Sequence, residues 1–289
     1  MKLRGLPGAR GPANWIAYAV LMLACAITLA PLLWLAIGSF KTNDDFFASA
    51  FLPVDTHTGA IAWDRLTLEH YETLFRQLDF ARALLNSVFI ASVTAVIATL
   101  LCAMAGYALA KFDFRGRKAC TAAILAAVLI PPPLLIAPLY QILHQMSLLD
   151  SFAGLILPAL APAFGVYLFR QAMNSAVPNE PLEAARMDGA GEAELFFRIG
   201  LPLVRPMIGT FMMITFLAMW NNFISPQVVL QTPSKFPLSV AVAQLRGLFY
   251  QDYGLQLAGT LVAIFPVMLL FLFLQSEFVS GLTSGAVKG

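Results

Sequence analysis

Between Asn174 and Arg205 the chain reads NSAVPNEPLEAARMDGAGEAELFFRIGLPLVR, the stretch best equipped for chemistry. That chemistry is gripping rather than bond-making. Glu183 offers a carboxylate that an arginine on a facing surface can hold in a charge-assisted bond, and Ala184 and Ala185 let another backbone come close. A helix is expected over about Glu180 to Asp188. Asn179 is the expected N-cap, Pro181 falls in the first turn where its missing N–H is harmless, and Glu180 and Glu183 lie near the positive end of the dipole. Gly189 supplies the left-handed residue that ends the helix. A second short helix through Leu195, Phe196 and Ile199 then leads to Pro202 and Pro206. The first helix is roughly 14 Å long at about 1.5 Å per residue, too short to stand alone in water. It reads as a knob that needs a socket on a partner. A helix resting on lipid headgroups would carry Lys and Arg on its polar face, whereas this one is acidic.

Other site chemistries are missing. There is no G-x-x-x-x-G-K-[ST] loop, and Gly189-Ala190-Gly191 is too short for a dinucleotide fingerprint, so the chain has no means of hydrolysing ATP. His57, His70 and His144 stand apart, and Cys25, Cys102 and Cys120 occur singly, which gives neither metal spacing nor a disulfide framework. No enzyme activity and no resident cofactor are expected.

The elements that must position the knob follow from composition. The 18 Lys/Arg and 16 Asp/Glu make up 12% of 289 residues, about half the usual quarter, while 59% are hydrophobic. That is too little charge to coat a soluble particle and too much apolar surface for a disordered chain. A net charge of +2 without a basic stripe argues against nucleic acid as a partner. Uncharged runs at 11–40, 83–110, 119–149, 151–169, 206–234 and 253–276 predict six spanning helices, an all-α polytopic membrane protein in contact with lipid. The triple proline 131–133 should kink or unwind the third. Segments 1–13, 111–118, 170–205 and 277–289 hold 12 of the 18 Lys/Arg, which puts both termini in the cytoplasm and 174–205 on the same side. The layout is then a cytoplasmic N-terminus 1–13, a transmembrane domain 14–276 and a cytoplasmic tail 277–289. The first apolar run is too long for a cleaved leader and is expected to stay as a helix. In the outer segment 41–82, Thr67 could cap a surface helix with Leu68, Tyr71, Leu74, Phe75 and Leu78 on one face.

No ionisable side chain lies deep in these runs, although ion-driven carriers commonly need such groups as relays. Walls of Ser, Thr, Asn, Gln, Tyr and Trp suit a neutral or polyhydroxylated solute, and the energy must come from outside the chain. Sugars are held by aromatic faces and hydrogen bonds. Trp220, Asn221 and Asn222, Tyr140 and Gln141, and Tyr167 are the pathway candidates, against the plainer reading of interfacial aromatics and packing amides. The outer segment 228–255, with Gln231, Gln244, Phe249, Tyr250 and Tyr253, is a candidate contact for a delivering protein.

Glu183-Ala184-Ala185, three residues, Gly189, nine residues, then Ile199-Gly200-Leu201-Pro202 matches every fixed position of EAA-x3-G-x9-I-x-L-P. By chance this occurs on the order of once in a million chains at ordinary residue usage. The chain thereby resembles membrane permease subunits of bacterial binding-protein-dependent ABC importers. Asn86-Ser87, Tyr107-Ala108-Leu109-Ala110-Lys111-Phe112 with Phe114-Arg115-Gly116-Arg117, and Ile130-Pro131-Pro132 extend the likeness, and the C-terminal FVSGLTSGAVKG is similar to the maltose-permease, carbohydrate-uptake type. The resemblance implies the type I ABC importer transmembrane-domain fold in a bacterial inner membrane. It also implies a second permease subunit in a heterodimer, two ATPase subunits that bind ATP and Mg, and a periplasmic solute-binding protein. Residues 180–189 become the coupling helix, with Glu183, Ala184, Ala185, Asp188, Gly189, Ile199, Leu201 and Pro202 in ATPase coupling. The near-uncharged end from Val279 to Gly289 would be a flexible strand reaching into the ATPase interface. Rival expectations are the same assembly carrying a polyol, a glycerol phosphate or a modified sugar, an ion-coupled secondary carrier, and a structural membrane anchor. An anionic cargo would need cationic groups that the spans lack.

Overall fold

The computed structural model describes residues 12–55, 58–246 and 252–284. In chain order the α-helices are α1 (Pro12–Gly38), α2 (Asn43–Ala48), α3 (Glu69–Arg76), α4 (Phe80–Lys111), α5 (Arg117–Val128), α6 (Ile136–Gln145), α7 (Phe152–Ile156), α8 (Ala163–Ala176), α9 (Asn179–Met187), α10 (Glu192–Leu195), α11 (Leu201–Leu203), α12 (Arg205–Trp220), α13 (Ile224–Val229), α14 (Leu238–Gln244) and α15 (Tyr253–Ser284). Among the described residues β pairing is limited to two isolated bridges, Lys41 with Leu66 and Val54 with Ile61. These residues fall into two compact units, one within Met1–Leu78 and Leu245–Val262, the other within Asp79–Gln244 and Ala263–Gly289.

In the first unit α1 is apolar all round, and none of its spanning window is buried against the chain. Water would not tolerate such a surface, whereas lipid would. Beyond α1, Lys41 is buried. Its ammonium donates to the Ser49 carbonyl, and burial lowers its pKa from the ordinary lysine value while the Asp45 carboxylate opposes that shift. Asp45 is itself held by Arg65 at 3.0 Å and by the Thr42 hydroxyl at 2.9 Å. The surface helix expected after Thr67 is α3. Leu68 is its N-cap residue, and Thr67 Oγ1 accepts the Glu69 N–H at 3.0 Å. Its buried face is His70 and Leu74, whereas Leu68 and Leu78 are exposed, so the expected five-residue stripe is narrower than the sequence suggested. The His70 Nε2 lies 2.9 Å from the Lys41 carbonyl, which turns this helix against the segment after α1.

The second unit is built on α4. Its buried stripe Ala91, Thr94, Ala95, Ala98, Thr99, Cys102, Ala103 and Gly106 is small enough for α8 and α12 to pack directly on it. A Cβ on Gly106 would lie 2.6 Å from Phe169 Cβ and 2.7 Å from the Arg170 backbone nitrogen, so α4 and α8 touch backbone to backbone there. Among the described residues three helices are long and apolar enough to cross a membrane alone, and up to six spans result if three bent pairs each count as one. The triple proline does what its chemistry requires, with a 99° bend between α5 and the helical segment from Pro132.

Two expectations need correction. The uncharged run 206–234 is not one helix. α12 stops at Trp220, where Asn221 bonds back to the Leu217 carbonyl and Asn222 Oδ1 accepts the Ser225 N–H to start α13, and the bent span comes instead from Glu192–Leu203 and Arg205–Trp220, at 82°. The segment from Val279 is not an extended strand as far as it is described. α15 continues to Ser284. Residues 285–289 lie outside the described residues.

Candidate functional site

The acidic knob of the sequence is α9, with the turn that follows it. α9 begins at Asn179, one residue earlier than expected, and Pro178 rather than Asn179 is its N-cap residue, without a side-chain cap bond. The Asn179 side chain is engaged elsewhere. Its Oδ1 accepts a bond of 2.9 Å from Lys111 Nζ at the end of α4, and the same ammonium donates to the Val177 carbonyl at 2.6 Å. One cation thus ties the start of α9 to the end of α4.

The far end closes as a Schellman turn. The Ala190 N–H reaches back to the Ala185 carbonyl and the Gly189 N–H to the Arg186 carbonyl, both at 3.0 Å, with Gly189 at φ +88°. A Cβ there would meet nothing within 4 Å, so the demand for glycine is one of backbone conformation alone. Across the turn Arg186 grips Glu192 in a two-pronged bond, Nε at 2.7 Å and Nη2 at 3.2 Å from the two carboxylate oxygens. This contact raises the Arg186 pKa above the ordinary arginine value and locks α9 against α10.

The inner face of α9 is fastened by Leu182, 1% exposed, in a cluster with Tyr107, Val177, Leu195 and Phe196. Below the hairpin the Tyr107 ring meets Phe196 edge-on at 5.4 Å. Gly200 sits over the same ring, where a Cβ would be 3.3 Å from two ring carbons. Residues 196–200 form a π-helical turn that brings Gly200 there.

The outer face carries Glu183, Ala184 and Asp188, all exposed. Between them stands Met187, 84% exposed, an apolar residue that sequence reading overlooked. Its position one turn from Glu183, on a helix otherwise acidic outward, was the available signal. Ala185 is half-buried and packs inward, so of the two alanines only Ala184 belongs to the approach face. Ile199 and Leu201 also pack toward the core and support the hairpin from behind, whereas Pro202 is exposed.

The pathway candidates do not converge. Trp220 is 5% exposed, its ring stacked on Phe216 at 5.6 Å and its Nε1–H donated to the Ala263 carbonyl. It is a packing residue. Asn221 is spent on its own helix, Tyr140 and Gln141 lie exposed on α6, and Tyr167 is half-buried on α8. Only Asn222 of the six lines the cavity of about 260 Å³ beside the proline break, together with Pro132, Leu135, Met219 and Ser225.

The outer segment is fastened by Asp150, another residue missed from sequence. Its Oδ1 accepts the N–H groups of Gln231 and Thr232 at 2.9 Å, and its Oδ2 accepts Thr232 Oγ1 at 2.6 Å and Lys235 Nζ at 2.9 Å. These bonds hold its carboxyl well below the usual carboxylate range. Phe249 and Tyr250 lie outside the described residues. Among the described residues no three His, Cys, Asp or Glu side chains are grouped to hold a metal.

Residues 96–276 match the family model described as binding-protein-dependent transport system inner membrane component. The arabinooligosaccharides transport system permease protein AraQ of Halalkalibacterium halodurans is 34% identical, over 96% of this chain and 97% of its own. The trehalose transport system permease protein SugB of Mycobacterium tuberculosis is 32% identical, over 98% of this chain and 100% of its own. Among solved structures, a chain of a bacterial ABC transporter that imports the acidic polysaccharide alginate superposes with a TM-score of 0.79 at 21% identity, covering 94% of this chain and all of that one. The fold is therefore shared with that importer.

Proposed function

The chain belongs to the binding-protein-dependent transport system inner membrane component family, and from that membership we propose that it lines the import pathway of a sugar or related polyhydroxylated solute. The work is done by a separate ATPase. The observation that carries this reading is the hairpin of α9 and α10. It is locked by Lys111 at its start, by the Schellman turn and Arg186–Glu192 at its tip, and by Leu182 behind, yet it presents Glu183, Ala184, Met187 and Asp188 to a partner. A short helix so firmly held on one side and bare on the other is suited to transmit force. Closure of an ATPase dimer around ATP and Mg would push the knob, and the bent spans would rock about their breaks between inward-open and outward-open states.

The full assembly on this reading has a second permease subunit as a heterodimeric partner, two ATPase subunits and a periplasmic solute-binding protein. Six spans with both termini in the cytoplasm of a bacterial inner membrane agree with the Lys/Arg distribution and with three single helices plus three bent pairs. A carbohydrate cargo is supported by relatives that carry arabinooligosaccharides and trehalose, and by the long uncharged runs of the sequence. Asn222 is the pathway candidate that lines the cavity at the proline break. Glu183→Lys and Gly189→Val test the docking role. Both variants are expected to insert and fold but to lose ATPase binding and ATP-driven uptake, and normal uptake by both would reject it.

A further inference from the structure

α4 differs from the other candidate spans between Asp79 and Gln244. The three other candidate spans within Asp79–Gln244 are broken by 99°, 41° and 82°, whereas α4 runs unbroken from Phe80 to Lys111 with 44% of its spanning window buried. Both of its ends are bonded to distant segments. At the C-terminal end Lys111 holds the Val177 carbonyl and the Asn179 side chain at the root of the α9 hairpin, with Tyr107 one turn earlier under Gly200 and Phe196. At the N-terminal end the Asn86 amide donates to the carbonyls of Ser234 and Phe236 at 3.0 and 3.1 Å, and buried Ser87 Oγ accepts the Leu238 N–H at 2.7 Å. Ser87 and Lys111 are about 36 Å apart along the helix at about 1.5 Å per residue. The segment that Asn86 and Ser87 reach, 230–238, is also bonded by Asp150 through Gln231, Thr232 and Lys235, and Leu230 and Phe236 pack in a cluster with Ile90, Leu143 and Leu155.

Resting on the docking reading above, we infer that α4 is a rod that carries displacement of the α9 hairpin to segment 230–238, and that Lys111, Asn86 and Ser87 are the positioning residues that join its ends to what it moves. A bent helix absorbs a push at its break. An unbroken one packed between two neighbours by a stripe of small residues translates or turns as a body, and whatever is bonded to its far end must follow. The bonds at the two ends are specific rather than general packing. Lys111 takes a carbonyl and an amide oxygen, and Asn86 and Ser87 take three backbone groups of a single loop.

The test places a spin label on Ser234→Cys, whose side chain is exposed and whose carbonyl, not its hydroxyl, serves Asn86. The background carries Cys25→Ser and Cys120→Ser, leaving only buried Cys102. The complete transporter is reconstituted, and the label's mobility is read with and without a non-hydrolysable ATP analogue and magnesium, alongside ATPase binding. In the otherwise unaltered transporter the nucleotide is expected to change label mobility. Lys111→Met, read at saturating ATPase because Lys111 also fastens the docking hairpin, should reduce that change about fivefold or more, the usual span of a coupling between sites, and Lys111→Arg should restore it. Ser87→Ala breaks the other end and should give the same loss, which keeps the test open should Lys111→Met fail to assemble. Combining the two should be no worse than either alone, since both cut one rod. An equal nucleotide response in all variants with intact ATPase binding overturns the rod and leaves the docking reading standing. Additive losses in the double variant overturn it as well. Absence of ATPase binding to the unsubstituted chain overturns both.

Discussion

Replacing Leu182 by alanine should detach the α9 hairpin from the bundle while leaving its outward face chemically whole. Leu182 is 1% exposed and packs among Tyr107, Val177, Leu195 and Phe196. Truncating a leucine so buried costs about 2–5 kcal/mol. The remaining fastenings are the Lys111 bonds and the Arg186–Glu192 pair, whose side chains are 35% and 46% exposed, so that solvent screening leaves the pair about 1 kcal/mol or less. A nine-residue helix has little stability of its own to add. Taking about 3 kcal/mol as the local loss, the population of detached hairpin rises about a hundredfold. Hydrogen exchange of the α9 amides reads this directly, and their protection should fall by about two orders of magnitude while that of α4 and α12 is unchanged. Leu182→Met, which conserves volume, should lose less than about 1.5 kcal/mol and keep most of the protection. Unaltered exchange in Leu182→Ala would refute the anchoring argument. Loss of protection throughout α4 would refute the claim that the hairpin is a separable unit.

Other perturbations test separate parts of the account. Gly106→Ala puts a Cβ within 2.7 Å of the α8 backbone, and overpacking of about 1–3 kcal/mol should lower the thermal midpoint of the protein in lipid nanodiscs. Gly189→Ala must hold φ near +88° at a cost of about 1–2 kcal/mol, whereas Gly189→Asn should lose less, and hydrogen exchange at the turn would rank the two. The Asp150 carboxyl has a folded pKa below its unfolded one, so the stability it gives segment 230–235 is fully present above about pH 4 and is lost as pH falls further toward the folded value. Limited proteolysis of that segment should therefore accelerate on acidification below about pH 4, and Asp150→Asn should be cut faster at neutral pH with no such acid step.

Much of the site was legible because its determinants are local. Glu180, Pro181 and Gly189 specify a short helix and its ending turn within one stretch of chain, and the helix formed one residue early with the glycine at positive φ. Asn179 misled because an asparagine before a proline-containing turn is also free to accept from elsewhere, and Lys111, 68 positions back, takes its oxygen. Nothing local announces such a pairing. The same holds for Asp150 with Lys235 and for Asn86 with Ser234 and Phe236, which join segments distant in sequence. The uncharged run 206–234 misled in another way, since hydropathy measures what lipid would accept and is blind to two adjacent asparagines that turn the backbone. Trp220 matched the composition of a sugar site, but its indole N–H is already donated to the Ala263 carbonyl, a fact that only packing reveals.

The central claim is that a separate ATPase moves solute through this chain by way of the α9 face. It is tested most directly by reconstituting the permease subunits in sealed vesicles with binding protein and labelled sugar, with and without the ATPase subunits, and following ATP-dependent uptake as Met187→Asp and Glu183→Lys are introduced. Uptake should require both ATP and the ATPase, survive an uncoupler, and collapse in the two variants. Accumulation without the ATPase, driven by an ion gradient and indifferent to both substitutions, would contradict the account.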